Sequence, residues 1–353
     1  MEDVLHKTLI IRLSSVGDVV LSSPLVRALR GRFPSCQIDY CVKSAYADLV
    51  RHSPHLSHVI EFPDHGGLAD LLRLRSRIAS AGYDLIIDIH DSIRSRLLCA
   101  GSRRVVRVNK RKFARMLLVR FKVDVYDRFG GAPGVAERYL ETVRPFGVLN
   151  DRKGLDLFIP GEARASVDSL LAEEHLLKGT PCIGICPSAK HGNKMWPAER
   201  FAAAAGALAS QLGAAILLFG GETDRARCDH IALLIQREFT GPQVINLAGW
   251  SSLIETAAAL ERCRVVLTND TGLMHIAAAR GVKLVAMFGP TVRRFGFFPP
   301  EATSRVVEQQ NLSCRPCTHI GLPRCPKRHF RCMKDTSVET VVAAAAGLLE
   351  GAK

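Results

Sequence analysis

Short, almost continuously apolar segments recur along this chain, each followed by a helix-like stretch, and that alternation limits what the chain can fold into. In the first half the strand candidates are residues 8–13, 37–42, 58–62, 84–89 and 105–108, with helical patterns such as 18–32 and 68–81 between them. In the second half the strands are 182–186, 214–219, 244–246, 265–268 and 284–288, and the helices 198–212, 223–238, 252–262 and 272–280. A strand without polar–apolar alternation is covered on both faces, and strands that each precede a helix run parallel. The expected class is therefore α/β with parallel sheets. A chain of 353 residues is too long for one ordinary core. The two series are separated by 146–180, which carries Pro160, Gly161 and Gly179. The expected division is an N-terminal Rossmann-like domain over 1–165 and a C-terminal one over 166–335. A last helix over 336–353 has the option of packing back on the N-terminal domain.

Open parallel sheets bind ligands beyond the carboxyl ends of their strands, so informative residues should follow strands. Five segments do. Arg12-Leu13-Ser14-Ser15-Val16-Gly17-Asp18 follows the first strand. Gly17 permits a tight turn, and Asp18 reads equally as a helix first-turn acid or as a general base in a cleft. The turn lacks the G-x-G-x-x-G of dinucleotide sites, and no P-loop is present. Residues 186–197 follow the first strand of the second half and bring Ser188, Lys190 and Lys194 ahead of a helix. Lysines there suit phosphate oxygens, or serve only solubility. Phe219-Gly220-Gly221-Glu222 ends another strand; the glycines admit a ligand to the backbone, and Glu222 is either a ribose acceptor or a first-turn acid. Thr268-Asn269-Asp270-Thr271-Gly272 runs into a small-residue helix whose first amides point at an anion. His275, one turn on, is the kind of lone histidine that more often packs than reacts. Phe288-Gly289-Pro290-Thr291 ends the next strand as a further turn.

The order and spacing of these segments resemble glycosyltransferase family 9, the lipopolysaccharide heptosyltransferases. The resemblance is carried by I-I-R-L-S-S-V-G-D-V-V-L-S-S-P-L at the start, K-M-W-P-A-E-R-F and F-G-G-E in the middle, and N-D-T-G-L-M-H-I-A-A-A followed by G-V-K-L-V-A-M-F-G-P-T. It spans roughly residues 7–341. It implies a GT-B fold, two Rossmann-like domains with parallel sheets facing across a cleft, the first for the acceptor and the second for the nucleotide sugar. It implies inverting transfer of heptose from ADP-heptose to the lipid A–core acceptor, with no cofactor. Carried over by position, Asp18 is the catalytic base and Lys194 the group that stabilises the departing diphosphate. Ser188, Glu222, Asp270, Thr271, Gly272 and His275 bind the donor; Ser15, Gly17 and Arg94 bind the acceptor. No Asp-x-Asp metal-binding motif stands beside these segments.

Charge and composition bear on partners. Lys and Arg number 48 against 34 Asp and Glu, a net charge of +14. The excess concentrates in 94–122 and suits a phosphorylated acceptor or an anionic inner-leaflet membrane. A basic nucleic-acid-binding module is a competing reading, but five Tyr and two Trp offer few stacking platforms and no recognition motif appears. A different nucleotide sugar or acceptor on the same fold is another. No apolar run reaches the length of a membrane span. Glu2 and Asp3 stand where a secretory leader carries positive charge, so a cytoplasmic protein, peripheral at the membrane and monomeric, is expected. Eleven cysteines should then be mostly reduced. Four of them, Cys314-x2-Cys317-x7-Cys325-x6-Cys332, cluster with His319 and His329. Their spacing is not that of paired C-x2-C sites, so zinc, free thiols and disulfides all stay open.

Overall fold

The computed structural model describes residues 5–351. Glu2 and Asp3 lie outside the described residues. The chain forms two compact units, one of 1–112 with 133–158, the other of 113–132 with 159–353. The crossing therefore falls near 158, and the basic run 94–122 is divided, with 94–112 in the first unit and 113–122 in the second.

The first unit is built on β1 (Lys7–Ile11), β2 (Gln37–Lys43), β3 (His58–Phe62), β4 (Leu85–Asp88) and β5 (Val105–Arg107). They pair in parallel in the order β3-β2-β1-β4-β5. The second unit holds β6 (Cys182–Cys186), β7 (Ala215–Leu218), β8 (Val244–Asn246), β9 (Cys263–Asn269), β10 (Leu284–Phe288) and β11 (Ser304–Glu308). These are also parallel, in the order β11-β10-β9-β6-β7-β8. All residues of β4, β6, β7 and β10 are buried, as apolar strands covered on both faces must be.

Two departures from the sequence reading have local causes. The helix expected over 18–32 is two helices, Val16–Val20 and Ser23–Arg32. Pro24 sits in the first turn of the second, where its missing N–H costs nothing; deeper in one long helix it would remove a bond. The strand β11 was not anticipated. Its sequence Ser-Arg-Val-Val-Glu is buried only at Ser304 and Val307, stands at the sheet edge, and lacks the apolar run that marks the others. The last helix, Val338–Glu350, packs on β9, β10, β11 and the helix Ala198–Leu212 of the second unit. Val341, Ala345 and Leu348 join that unit's core.

In each sheet the chain reverses direction once. The first reverses beside β1, between β2 and β4; the second beside β6, between β7 and β9. Helices cover opposite faces on the two sides of such a point, which leaves a crevice at the strand ends. The Arg12–Asp18 segment follows β1, and the 186–197 segment follows β6.

Candidate active site

In the first unit the residues around Asp18 form a bonded cluster. Arg12 is buried; it donates to the Ile89 carbonyl at 2.7 Å and its Nη2 stands 2.6 Å from Asp18 Oδ2. Ser15 Oγ donates to the same oxygen at 3.1 Å, and the buried Tyr139 hydroxyl donates to Asp18 Oδ1 at 3.1 Å. The helix cap is Ser15, whose side chain makes no capping bond. The carboxylate of Asp18 is thus engaged by side chains, which a plain first-turn acid does not require. Burial pushes the Asp18 carboxyl up, but the Arg12 guanidinium and the two hydroxyls outweigh it, and the carboxyl sits below its ordinary range. Beside it, burial and then Arg12 and Lys110 push the His90 imidazole down to about 4. His90 follows β4, the strand next to β1. Of the residues expected to touch an acceptor, Ser15 and Arg94 are exposed and Gly17 is buried. Arg94 lies in the helix Ile93–Leu98.

In the second unit a cavity opens at the carboxyl ends of β6, β7 and β9. Ser188 and Lys190 line it from one side, Gly220 and Gly221 from another, and Thr271 from the start of the helix Gly272–Ala279. Ser251 completes it from the turn after β8, which the sequence reading passed over. The signal was present: Gly249-Trp250-Ser251-Ser252 is another small, polar turn after a strand. Ser188 Oγ is buried with no hydrogen-bond partner among the described residues. Such a group calls for a partner the protein does not supply. Thr271, the residue before the helix, has extended backbone and no capping bond from its side chain, leaving the first amides of the helix to a ligand.

Lys194 and Asp270 meet next to this cavity. Lys194 Nζ is 2.6 Å from Asp270 Oδ2, with the side chains 12% and 8% exposed. Thr291 Oγ1 donates to the same carboxylate oxygen at 2.8 Å, which gives the turn after β10 its place in the site. Asn269 holds the β6 loop from below: its Oδ1 accepts from the Trp196 amide at 2.9 Å and its Nδ2 donates to the Pro187 carbonyl at 2.7 Å. Two further expected donor residues are Glu222 and His275. Glu222 is exposed and lies over Gly249, with Arg225 at 3.6 Å. His275 is buried, its ring 6.3 Å from that of Phe297.

The cysteine-rich loop supports the same site. Asn193 Oδ1 accepts from the Leu322 amide at 2.8 Å, and its own amide donates to the Leu322 carbonyl. Arg315 is buried, donates to the carbonyls of Gly289 and Thr291, and pairs with Glu308 at 2.6 Å. All eleven cysteines are free thiols. Cys314 Sγ lies 3.8 Å from His329 Nε2. Burial pushes the Cys332 thiol up to about 12 and raises that of Cys317. Among the described residues no three His, Cys, Asp or Glu side chains are arranged to hold a metal ion.

The model of glycosyltransferase family 9 (heptosyltransferase) matches residues 71–325. Lipooligosaccharide heptosyltransferase 2 of Haemophilus influenzae is 31% identical over 80% of this chain and 83% of its own length. The chain belongs to glycosyltransferase family 9. The crystal structure of a glycosyltransferase family 9 protein from Veillonella parvula has the same fold, with a TM-score of 0.81 at 22% identity over 100% of this chain and 99% of that one. The structure of the Escherichia coli ADP-heptose lipopolysaccharide heptosyltransferase II matches with a TM-score of 0.75 at 25% identity, covering 98% of this chain and 99% of that one. The fold is thus of the GT-B type, with two Rossmann-like units, and the chain is a glycosyltransferase. Membership of this family sets aside the nucleic-acid-binding module as a reading of the whole chain.

Proposed function

We propose that this glycosyltransferase moves heptose from ADP-heptose to the inner core of lipopolysaccharide, with inversion at the anomeric carbon. The observation that carries this is the agreement between relatives named as heptosyltransferase 2 and a polar cavity at the reversal point of the second sheet. In this reading the donor occupies that cavity. Lys194, Ser188 and the amides of Thr271 and Gly272 take the diphosphate, Asp270 orients the sugar, Glu222 accepts from the ribose, and His275 supports the helix that carries the amides. Ser15, Gly17 and Arg94 help hold the acceptor on the first unit.

The chemistry is a single displacement. The acceptor oxygen forms its bond to the anomeric carbon as that carbon's bond to the phosphate oxygen breaks. The acceptor proton passes to Asp18, and ADP leaves with the bonding pair. A carboxylate has about four lone-pair sites. Arg12, Ser15 and Tyr139 use three, which leaves one for the acceptor hydroxyl. Asp18 is ionised at neutral pH, and its lowered proton affinity holds back the proton transfer until the acceptor hydroxyl is acidified by bond formation to the anomeric carbon. Charge building on the leaving diphosphate is met by Lys194 and preorganised amides. Because the core acceptor is a lipid, the protein works at the anionic inner leaflet as a peripheral protein. No helix among the described residues is long and apolar enough to cross a membrane.

An ADP-release assay with ADP-heptose and defined core acceptors tests this. Asp18→Asn should lower kcat by about 100-fold or more while ADP-heptose still binds. Near-wild-type turnover in that variant refutes the base assignment. Use of UDP-sugars in place of ADP-heptose refutes the donor.

A further inference from the structure

The basic stretch that follows β5 contains an amphipathic helix with its apolar side turned outward. In Lys112–Phe121, Ala114 and Leu118 face inward and pack with Tyr126 and Phe295. Phe113, Met116 and Phe121 lie on the other side and are exposed, at positions i, i+3 and i+8 of one helical face. Val123 and Phe129 extend the patch, and the Phe113 and Phe129 rings touch edge to face with centroids 5.5 Å apart. These five side chains are 46–60% exposed and make up five of the thirteen large exposed hydrophobics among the described residues. Chance scatter would not place them within seventeen residues. Large apolar side chains exposed together on one segment mark a binding surface.

The charges around the patch identify the occupant. Its two acids, Asp124 and Asp127, share one cation, Arg294, at 2.7 and 3.0 Å. Arg120 and Arg128 are exposed and have no carboxylate partner among the described residues; Lys122 is likewise exposed and bonds only to carbonyl oxygens. Large apolar side chains interleaved with unpaired cations match a bilayer interface, where the rings enter the acyl boundary and the cations meet lipid phosphates. We propose that the outer face of Lys112–Phe121, with Val123 and Phe129, inserts into the surface of an anionic bilayer. This deepens the peripheral membrane contact proposed above and assigns it to the second unit.

Flotation of the full-length protein with phosphatidylglycerol-containing vesicles and with pure phosphatidylcholine vesicles tests it. The wild type should partition at least tenfold more strongly to the anionic vesicles. The triple variant Phe113→Ser, Phe121→Ser, Phe129→Ser should lose at least tenfold of that binding, while turnover of ADP-heptose with a delipidated soluble acceptor stays unchanged. Arg120→Gln with Arg128→Gln should weaken binding and flatten its salt dependence. As a check free of folding effects, Phe121→Trp in the otherwise intact protein should add an indole emission, read as the difference from wild type. That emission should shift to the blue on anionic vesicles and be quenched by brominated lipid. Absence of vesicle binding by the wild type, full binding by the serine variant, or an unshifted emission from the introduced indole overturns the proposal. So does concentration-dependent self-association that the serine variant abolishes, which would give the face to a second copy. Turnover on the soluble acceptor reads the transferase assignment separately, since it needs no membrane.

Discussion

At the scale of single residues the Lys194–Asp270 pair is the most exposed to test. Two opposite charges 2.6 Å apart and nearly buried are costly to separate, because removing one leaves the other without water or partner. Lys194→Met should therefore destabilise the protein by about 3 kcal/mol in urea unfolding. Adding Asp270→Asn should restore more than half of that loss, since no charge is then left stranded. Turnover should be lost in both. A double variant no more stable than the single one would mean that the pair is solvated in solution. The same two residues illustrate how much of the site was legible beforehand. Each stood out singly, as a lysine before a helix and an acid after a buried strand. Their mutual contact was not legible, because they are on different loops. Glu222 also stood out singly, yet its exposed position over Gly249 was not readable from a Gly-Gly-Glu turn.

At the scale of elements the cysteine-rich loop acts as a buttress. Arg315 ties it to the turn after β10 through the Gly289 and Thr291 carbonyls, and Thr291 in turn holds Asp270. A planar guanidinium serves several acceptors at fixed angles, which a methionine or lysine cannot reproduce. Arg315→Met should leave Glu308 and these carbonyls unsatisfied, cost about 3 kcal/mol, and raise the rate at which an aromatic disulfide reagent modifies Cys317 and Cys332. Unchanged thiol reactivity would show that Arg315 does not hold the loop. The sequence marked the four cysteines by spacing. It could not mark this bracing role, because the bonds run through backbone groups and a lone arginine.

At the scale of the molecule, buried titratable groups set how stability responds to acid. His90 and His319 are each pushed down to about 4, first by burial and then by neighbouring cations. Their value in the unfolded chain is 6.5. Between those values the unfolded chain binds protons that the folded protein refuses, so stability should fall as pH drops from 6.5 towards 4. Below that a second loss follows. Asp151, held by Arg27, is lowered to about 2, and Asp18, Asp91, Glu255 and Glu261 are lowered as well. Carboxylates of this kind stabilise above their unfolded values near 4 and lose that contribution as pH falls through their folded ones. Urea midpoints measured from pH 8 to pH 4 should decline with acid, and His90→Gln combined with His319→Gln should flatten the part above pH 5. A decline that the double variant leaves untouched would remove these histidines from the account.

What the sequence determined by itself was the architecture, two units built on parallel sheets. Strands buried on both faces are apolar throughout, and parallel strands need crossover helices, so both facts are written as local pattern. The tertiary structure alone decided what depends on distant partners. Tyr139 reaches Asp18 across 121 residues, and Leu322 holds Asn193 across 129. The stretch 113–132 interrupts the first unit in sequence but belongs to the second. Its first part, 113–122, read as the end of a run of charge because an outward apolar face mixed with arginines has no clean period of its own. Only the packing of Ala114 and Leu118 on Tyr126 and Phe295 fixes which side of that helix is left bare.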